Sequence, residues 1–314
     1  MNVRSGRAIS AIGGPVTDAV AGSISREHRH ATPVGLDLDR SITSLLRVTG
    51  FRRWFGALNR RRGRQRAVIV MYHSFTPGGW AAIAPDTLRW HLELLRDDYA
   101  VVPLSRLVAA LANREPTDRM AAITVDDGYE DFVTVAYPML CELRLPATLF
   151  VPTGFIGGHS DWYDHERAPI PIASERLLRD VDRSLVTLGS HSVHHRPLNG
   201  ARAETLEAEI RRSKSDLESL VNAPVTLFAY PSGGRASYTA NTVRALHAAG
   251  FVAAVTTSWE TYSSHRELMS LPRVSFLEID GPDEVRAKLA GDFDWVKFRE
   301  LTAHFGRSAL AKIR

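Results

Sequence analysis

The chain has 314 residues, of which 44% are hydrophobic and 24% charged, as is typical of a soluble globular protein with one large domain or two small ones. Its single cysteine, Cys141, excludes an internal disulfide and any zinc module built from cysteines. The net charge of +4 is uneven, because residues 1–66 hold 13 Arg, no Lys and 4 acidic residues. The remainder of the chain is therefore acidic.

The first 66 residues are predicted to form an arm outside the catalytic domain. Residues 1–40 are rich in Gly, Ser, Ala and Arg and show little hydrophobic periodicity, which favours disorder. A secretory signal is not expected, since Gly13, Gly14, Pro15 and Asp18 interrupt its apolar core. No apolar run approaches the roughly 20 residues that span a bilayer. We therefore expect a cytoplasmic protein, or one peripheral at the membrane, with export left open.

Residues 41–66 suggest a basic amphipathic helix, because apolar residues recur at steps of three and four with arginines between them. Such a helix either lies on an anionic membrane surface or packs across the catalytic domain with its arginines in water. Nucleic-acid binding is not expected, since no recognisable motif or array of stacking aromatics is present. The apolar positions are Leu45, Leu46, Val48, Phe51, Trp54, Phe55 and Leu58.

After residue 66, short apolar strands alternate with helical patterns, which predicts an α/β fold with a parallel sheet. About seven such units are enough to close a barrel, and an open doubly wound sheet is the alternative. No glycine-rich loop follows the first strand, which disfavours a dinucleotide-binding fold. The predicted strands are 67–71, 121–125, 147–151, 184–189, 225–230, 252–256 and 271–276.

Two adjacent carboxylates, Asp126 and Asp127, follow the strand 121–125 and precede Gly128. Neighbouring carboxylates repel each other unless a cation or a proton lies between them. Taken alone, however, an Asp-Asp-Gly sequence is more typical of a surface turn. A second motif is needed to favour a functional site.

That motif is a histidine pair, His191 and His195, which follows the strand 184–189. The four-residue spacing predicts one turn of helix with both imidazoles on the same side and His194 rotated away. Two imidazoles and a carboxylate leave coordination positions open for water, as a hydrolytic metal requires. Because parallel strands end at one face of a barrel, we expect the two motifs and Ser232 to converge there.

With these motifs the sequence resembles the polysaccharide deacetylases, the NodB-homology family of metal-dependent carbohydrate deacetylases, and in particular their exopolysaccharide-associated branch. Residues 124–128 match the family's Asp-Asp-Gly motif, and residues 191–195 match its His-Ser/Thr-x-x-His motif. Residues 228–233 match its third, proline- and glycine-containing motif. The resemblance covers about residues 67–280, and segments 71–73, 147–154 and 271–273 also fit the branch.

The resemblance implies a distorted barrel of seven or eight strands. Residues 281–314 lie outside the resemblance, and their amphipathic pattern predicts a helical extension packed on the barrel. The resemblance also implies a divalent metal, zinc first, with cobalt or nickel as alternatives. Asp126 would act as general base on the metal-bound water, and the backbone N–H of Ser232 would stabilise the oxyanion. The implied metal ligands are Asp127, His191 and His195. The candidate substrate contacts are Tyr230, Pro231, Arg273 and Trp162, the last in a long irregular insertion at 157–183.

The sequence departs from the family pattern at two places. Ala229 stands where an arginine often pairs with the base, and no histidine follows Leu271 to act as the general acid. Arg273 could replace the missing arginine electrostatically, but it is too basic to donate a proton near neutral pH. The acid is therefore His73, His265 or Asp126 itself.

Three functions remain open from the sequence. The first is hydrolysis of N-acetyl groups on N-acetylglucosamine-type sugars of a bacterial polysaccharide. The second is cleavage of an O-acetyl ester or another amide by the same machinery. The third is a degenerate barrel that binds glycan without turnover, a hypothesis encouraged by the two departures.

Overall fold

The computed structural model describes residues 67–79, 81–162, 168–261 and 267–294. The predicted N-terminal arm, His265 and the C-terminal segment 295–314 lie outside the described residues, so the hypotheses that concern them stay predictions. None of the helices within the described ranges combines the length and apolar character needed to cross a membrane.

The described residues form eight strands and seven α-helices that largely alternate along the chain. The strands are β1 Val68–Tyr72, β2 Ala100–Val101, β3 Met120–Val125, β4 Ala147–Val151, β5 Val186–Ser190, β6 Leu227–Ala229, β7 Ala253–Val255 and β8 Val274–Ser275. The α-helices are α1 Pro85–Asp98, α2 Leu104–Ala112, α3 Tyr137–Leu143, α4 Glu175–Asp180, α5 Ala203–Val221, α6 Ala240–Ala248 and α7 Pro282–Leu289. Shorter turns of π-helix and 3₁₀-helix lie at Phe132–Ala136, Thr153–Phe155 and Leu268–Ser270.

The strands form one parallel sheet in the order β7-β6-β5-β4-β3-β1-β8, with β2 beside β3. The segment 271–275 joins the two ends of this order. Leu271 accepts a hydrogen bond from Thr256 N–H beyond β7 (2.8 Å), and three residues later Val274 pairs with Val70 of β1. The sheet is thereby curled on itself, which confirms the predicted distorted barrel rather than an open sheet.

Strand β1 shows why these sequences are apolar on both faces. Val68 and Val70 belong to the larger core cluster, which also contains residues of α1 and α5, whereas Ile69 belongs to a second cluster with α2. Both faces of the strand are therefore removed from water, as in other parallel sheets covered by helices. Burial of each such Val or Ile side chain contributes about 1.5–3 kcal/mol to folding.

Seven of the eight observed strands match the predicted ones to within three residues at each end, and β2 was not predicted. The largest difference is at β8, which spans only Val274–Ser275 although 271–276 was predicted, and β6 spans only Leu227–Ala229 although the apolar pattern extends over 225–230. Beyond β6 the chain turns into the site, with Ser232 and Gly233 in left-handed conformations (φ 60° and 54°). In the predicted C-terminal extension, α7 packs Val285 and Leu289 into the larger core cluster.

Candidate metal centre and active site

The candidate site lies where several parallel strands end at the same face of the barrel. Asp126 and Asp127 follow β3, His191 follows β5 and Ser232 follows β6. This is the face on which barrel enzymes place their catalytic groups, because side chains from different strands meet there. The structure thus brings together motifs that lie about sixty residues apart in the sequence.

Asp127, His191 and His195 converge on a common point. Asp127 Oδ1 lies 3.4 Å from His191 Nε2 and 3.2 Å from His195 Nε2, and one ligand atom from each side chain lies within 4.8 Å of the others. In a tetrahedral site with bonds of about 2.1 Å, neighbouring ligand atoms lie roughly 3.4 Å apart. The three buried side chains therefore fit a divalent metal with two nitrogen donors and one oxygen donor.

The prediction that residues 191–195 form a helical turn is wrong. This segment is irregular, and Ser192 and His195 adopt left-handed conformations (φ 63° and 52°). The Ser192 hydroxyl accepts the His195 N–H (3.1 Å), which closes the turn locally. Asp127 is left-handed as well (φ 70°). Strained conformations of about 1–3 kcal/mol each persist only where surrounding contacts enforce them, and such residues cluster at functional sites.

Glu209 of α5 is a residue that the sequence analysis missed. Its buried carboxylate accepts the backbone N–H groups of Val193 (3.0 Å) and His194 (2.9 Å) and also faces the His194 ring. Burial raises the pKa of Glu209, but these donors outweigh it and the pKa lies below its ordinary value. Glu209 lies on the same buried face of the helix as Leu206 and Ile210. An acidic residue on an otherwise apolar helix face could have indicated from the sequence that it has a buried partner.

The charges of the metal triad are mutually dependent. Burial raises the pKa of Asp127, but hydrogen bonds from His191 and His195 hold it well below its ordinary value. Burial lowers the pKa of His195, and its contact with Asp127 does not fully compensate. His191 also donates from Nδ1 to the Ala229 carbonyl (2.8 Å), which leaves Nε2 facing Asp127. The hydrogen bond at Nδ1 thus keeps Nε2 directed at the position where a metal would bind.

Asp126 is paired with Arg273 across 147 residues of sequence. The guanidinium donates to both carboxylate oxygens, at 2.7 and 2.6 Å, and also to Thr124 Oγ1 and the Thr256 carbonyl. Burial raises the pKa of Asp126, but the charge and hydrogen bonds of Arg273 hold it below its ordinary value. Arg273 thus supplies the positive charge beside Asp126 that Ala229, which stands where the family often has an arginine, cannot supply. Because it is only 1% exposed, its predicted contact with substrate does not fit the structure.

His73 lies beside Asp126 and is partly exposed. Its Nε2 is 3.9 Å from Asp126 Oδ2, and 15% of its side chain is exposed. The loop after His73 is held by Asp131, another residue that the sequence analysis missed. Asp131 Oδ2 accepts hydrogen bonds from Ser74 Oγ (2.7 Å), Phe75 N–H (2.7 Å) and Thr76 N–H (3.0 Å).

The third motif, residues 228–233, contains both buried and exposed residues. The hydroxyl of Tyr230 donates to the Met269 carbonyl (2.9 Å), and its buried ring stacks on Tyr238 with centroids 4.0 Å apart. Tyr230 and the buried Pro231 are therefore better explained as support for the loop than as substrate contacts. Ser232 is exposed, and its backbone N–H donates no hydrogen bond within the described residues.

Trp162 of the insertion lies directly against the metal triad. Its ring centroid is 4.1 Å from that of His195, and Phe155 and Tyr129 pack around the indole. The indole therefore covers the His195 side of the candidate site.

Comparison with known proteins gives a consistent result. Residues 113–254 match the model of the family described as "Polysaccharide deacetylase". YxkH of Bacillus subtilis (strain 168), whose own assignment as a polysaccharide deacetylase is provisional, is 26% identical over 208 residues, covering 66% of this chain and 70% of YxkH.

Two solved structures share the fold. The Streptococcus pyogenes deacetylase PplD, in complex with acetate, has a TM-score of 0.62 at 24% identity and covers 72% of this chain and 99% of PplD. IcaB from Ammonifex degensii also has a TM-score of 0.62, at 21% identity, and covers 73% of this chain and 97% of IcaB.

Proposed function

We propose that this chain, which carries a polysaccharide deacetylase domain over residues 113–254, uses a divalent metal to remove N-acetyl groups from N-acetylglucosamine-type units of a bacterial polysaccharide. The observation that carries the proposal is the convergence of Asp127, His191 and His195 beside the ion pair of Asp126 and Arg273. Three side chains in this site can bind a metal, and an ionised carboxylate lies next to them.

The metal would be held by Asp127 Oδ1, His191 Nε2 and His195 Nε2. Zinc suits two imidazoles and one carboxylate with a coordination position left open, and cobalt or nickel accept the same donors. When bound, such a metal acidifies a water molecule and polarises the acetyl carbonyl.

Asp126 is proposed as the general base. Arg273 keeps its carboxylate ionised at neutral pH, so it is ready to accept the proton of the attacking water. The backbone N–H of Ser232, which has no acceptor among the described residues, is proposed to donate a hydrogen bond to the carbonyl oxygen as negative charge develops on it.

His73 is the side chain best placed to supply the general acid. An amine anion is a very poor leaving group, so the nitrogen must be protonated before the C–N bond breaks. His73 Nε2 lies 3.9 Å from Asp126 Oδ2 and reaches the surface, so one substrate could contact both groups. Trp162 is proposed to bind the sugar from the other side of the site.

The substrate proposal rests on the family, which acts on acetylated polysaccharides. PplD was solved in complex with acetate, the product expected from the reaction proposed here.

We also propose that residues 41–66 contact an anionic membrane surface on the cytoplasmic side. The arginines of that segment support the idea. Deletion of residues 1–60 should abolish liposome binding and preserve acetate release, and persistent binding would contradict it.

The function is tested by acetate release from a panel of acetylated oligosaccharides. The chelated protein would be supplied in turn with zinc, cobalt and nickel. We expect acetate and free amine to appear in equal amounts, and we expect Asp126→Asn to stop release while the metal stays bound. Acetate without free amine would support an ester substrate instead. Glycan binding without acetate from any member of the panel would support the degenerate barrel.

A further inference from the structure

The two histidines of the metal triad are oriented in different ways. A metal-binding histidine almost always donates its second ring nitrogen to a carboxylate, a carbonyl or water, which fixes the direction of the first. His191 follows this rule, since its Nδ1 lies 2.8 Å from the Ala229 carbonyl oxygen. His195 does not, because its Nδ1 is buried and has no hydrogen-bond partner among the described residues.

What His195 has instead is an aromatic neighbour on its face. The centroids of His195 and Trp162 are 4.1 Å apart and their planes are inclined by 31°. His195 also contacts His191, with ring centroids 4.7 Å apart and planes inclined by 67°. The imidazole is thus in contact with two rings, and its Nε2 lies 3.2 Å from Asp127 Oδ1.

Trp162 is itself held firmly enough to confine another ring. Phe155 meets it edge-on at 5.1 Å and 78°, and the Tyr129 ring lies 6.4 Å away with its plane inclined by 23°. The neighbouring residues Asp161 and Arg196 also join the two segments, through an ion pair of 3.2 Å. Both partners of that pair are exposed, so it contributes little to holding the segments together.

We propose that Trp162 is a positioning residue that orients His195 for metal binding, in place of the hydrogen bond that orients His191. This inference rests on the proposed metal-dependent function. The indole limits rotation of the imidazole and keeps Nε2 directed at the metal position. In addition, an imidazole bound to a cation carries partial positive charge, which the negative face of an indole stabilises.

The test is zinc affinity in the full chain, measured by competition with a chromophoric chelator. Trp162→Leu removes the aromatic face and should weaken zinc binding by about 10-fold or more, the range found when groups supporting a metal ligand are lost. Trp162→Phe keeps a flat ring and should remain within about 3-fold of the native protein, since the stacked geometry is retained. With cobalt as a spectroscopic probe, the visible absorption should change in Trp162→Leu and less in Trp162→Phe.

Trp90 provides a matched control. It packs on His91 at the same centroid separation of 4.1 Å, but that pair is not part of the metal triad. Trp90→Leu should therefore leave zinc affinity and the cobalt spectrum unchanged in the folded protein. Asp161→Asn should also have little effect, since it breaks only the exposed ion pair.

The possible outcomes are distinct. Equal zinc affinity and equal cobalt spectra in the native protein, Trp162→Leu and Trp162→Phe would overturn the inference while leaving the metal site intact. If Trp162→Leu does not fold, Trp162→Ala and Trp162→Phe are compared instead, and equal affinities would again be contradictory. A native protein that binds no stoichiometric metal would overturn both this inference and the proposed function.

Discussion

Two buried histidines in this molecule have opposite electrostatic properties. His191, in the candidate metal centre, is 2% exposed, and His91, in the core beside β1, is fully buried. Burial lowers the pKa of both. For His191, the hydrogen bond to Asp127 and the charge of Asp126 outweigh burial, so its pKa lies above the ordinary value. For His91, nearby Lys288 adds to the effect of burial, and the pKa falls to about 4.

The difference between the two sites comes from which groups surround the imidazole. His91 lies among the rings of Tyr72, Trp90 and Phe276, and neither of its ring nitrogens has a hydrogen-bond partner in the described chain. His191 has two carboxylates and a backbone carbonyl. Burial alone therefore does not make a functional histidine. The carboxylates that follow β3 turn the same residue type into a candidate ligand for a cation.

The comparison is tested most directly by removing each histidine. His191→Ala should lose stoichiometric zinc and lower acetate release by about 1,000-fold or more, the upper range for loss of one group that stabilises a transition state. His91→Phe should retain both properties, because His91 belongs to the core. Metal content and acetate release measure the two effects. Native zinc content in His191→Ala would contradict the site as described.

The second prediction concerns the charges that surround His191. Arg273→Gln leaves the buried Asp126 carboxylate without its counter-charge, which should lower the free energy of unfolding by about 3–5 kcal/mol. Arg273→Lys should recover only part of this loss, since an ammonium cannot reproduce the two parallel hydrogen bonds. Urea denaturation measures both variants. If Arg273→Gln lowered the free energy of unfolding by less than about 1 kcal/mol, the value typical of an exposed ion pair, the pair would not stabilise the fold as predicted.

The third prediction uses the lowered pKa of His91. The folded pKa of about 4 lies below the ordinary value of 6.5, so the unfolded chain binds the proton more readily. Above pH 6.5 the histidine is neutral in both states and has no effect. As pH falls from 6.5 towards 4, it should destabilise the fold by up to about 3 kcal/mol.

His91→Phe isolates this effect, because it removes the titrating group and keeps an aromatic ring among Tyr72, Trp90 and Phe276. The metal-free native protein and the variant would be denatured with urea at pH 7.5 and 4.5. The native protein should lose more stability between the two pH values than the variant does. Equal losses would mean that His91 takes up a proton in the folded state.

The smallest effect is expected at Glu209, which supports the metal loop without touching the metal position. Glu209→Ala leaves the N–H groups of Val193 and His194 without their acceptor and should weaken zinc binding by about 10-fold. Glu209→Gln keeps a carbonyl acceptor and should fall between Glu209→Ala and the native protein. Chelator competition measures both variants, and native affinity in Glu209→Ala would show that the loop holds its shape alone.

Much of this protein could be predicted from local patterns in the sequence. The alternation of apolar strands and helices predicted the parallel sheet, since periodicity reflects which faces a segment buries, and the family resemblance favoured a barrel over an open sheet. The spacing of Asp126, Asp127, His191 and His195 identified the groups that meet at the strand ends. The resemblance to the polysaccharide deacetylases followed from the same motifs and was confirmed by the comparisons.

Other features were decided only by the tertiary structure, because they depend on contacts between distant segments. Arg273 meets Asp126 across 147 residues, and this required the segment 271–275 to bridge the two ends of the sheet. The burial of Tyr230 and the contact between the rings of Trp162 and His195 arise in the same way. Residue types and spacings specify which groups are available, but the register of the closed barrel decides which of them touch.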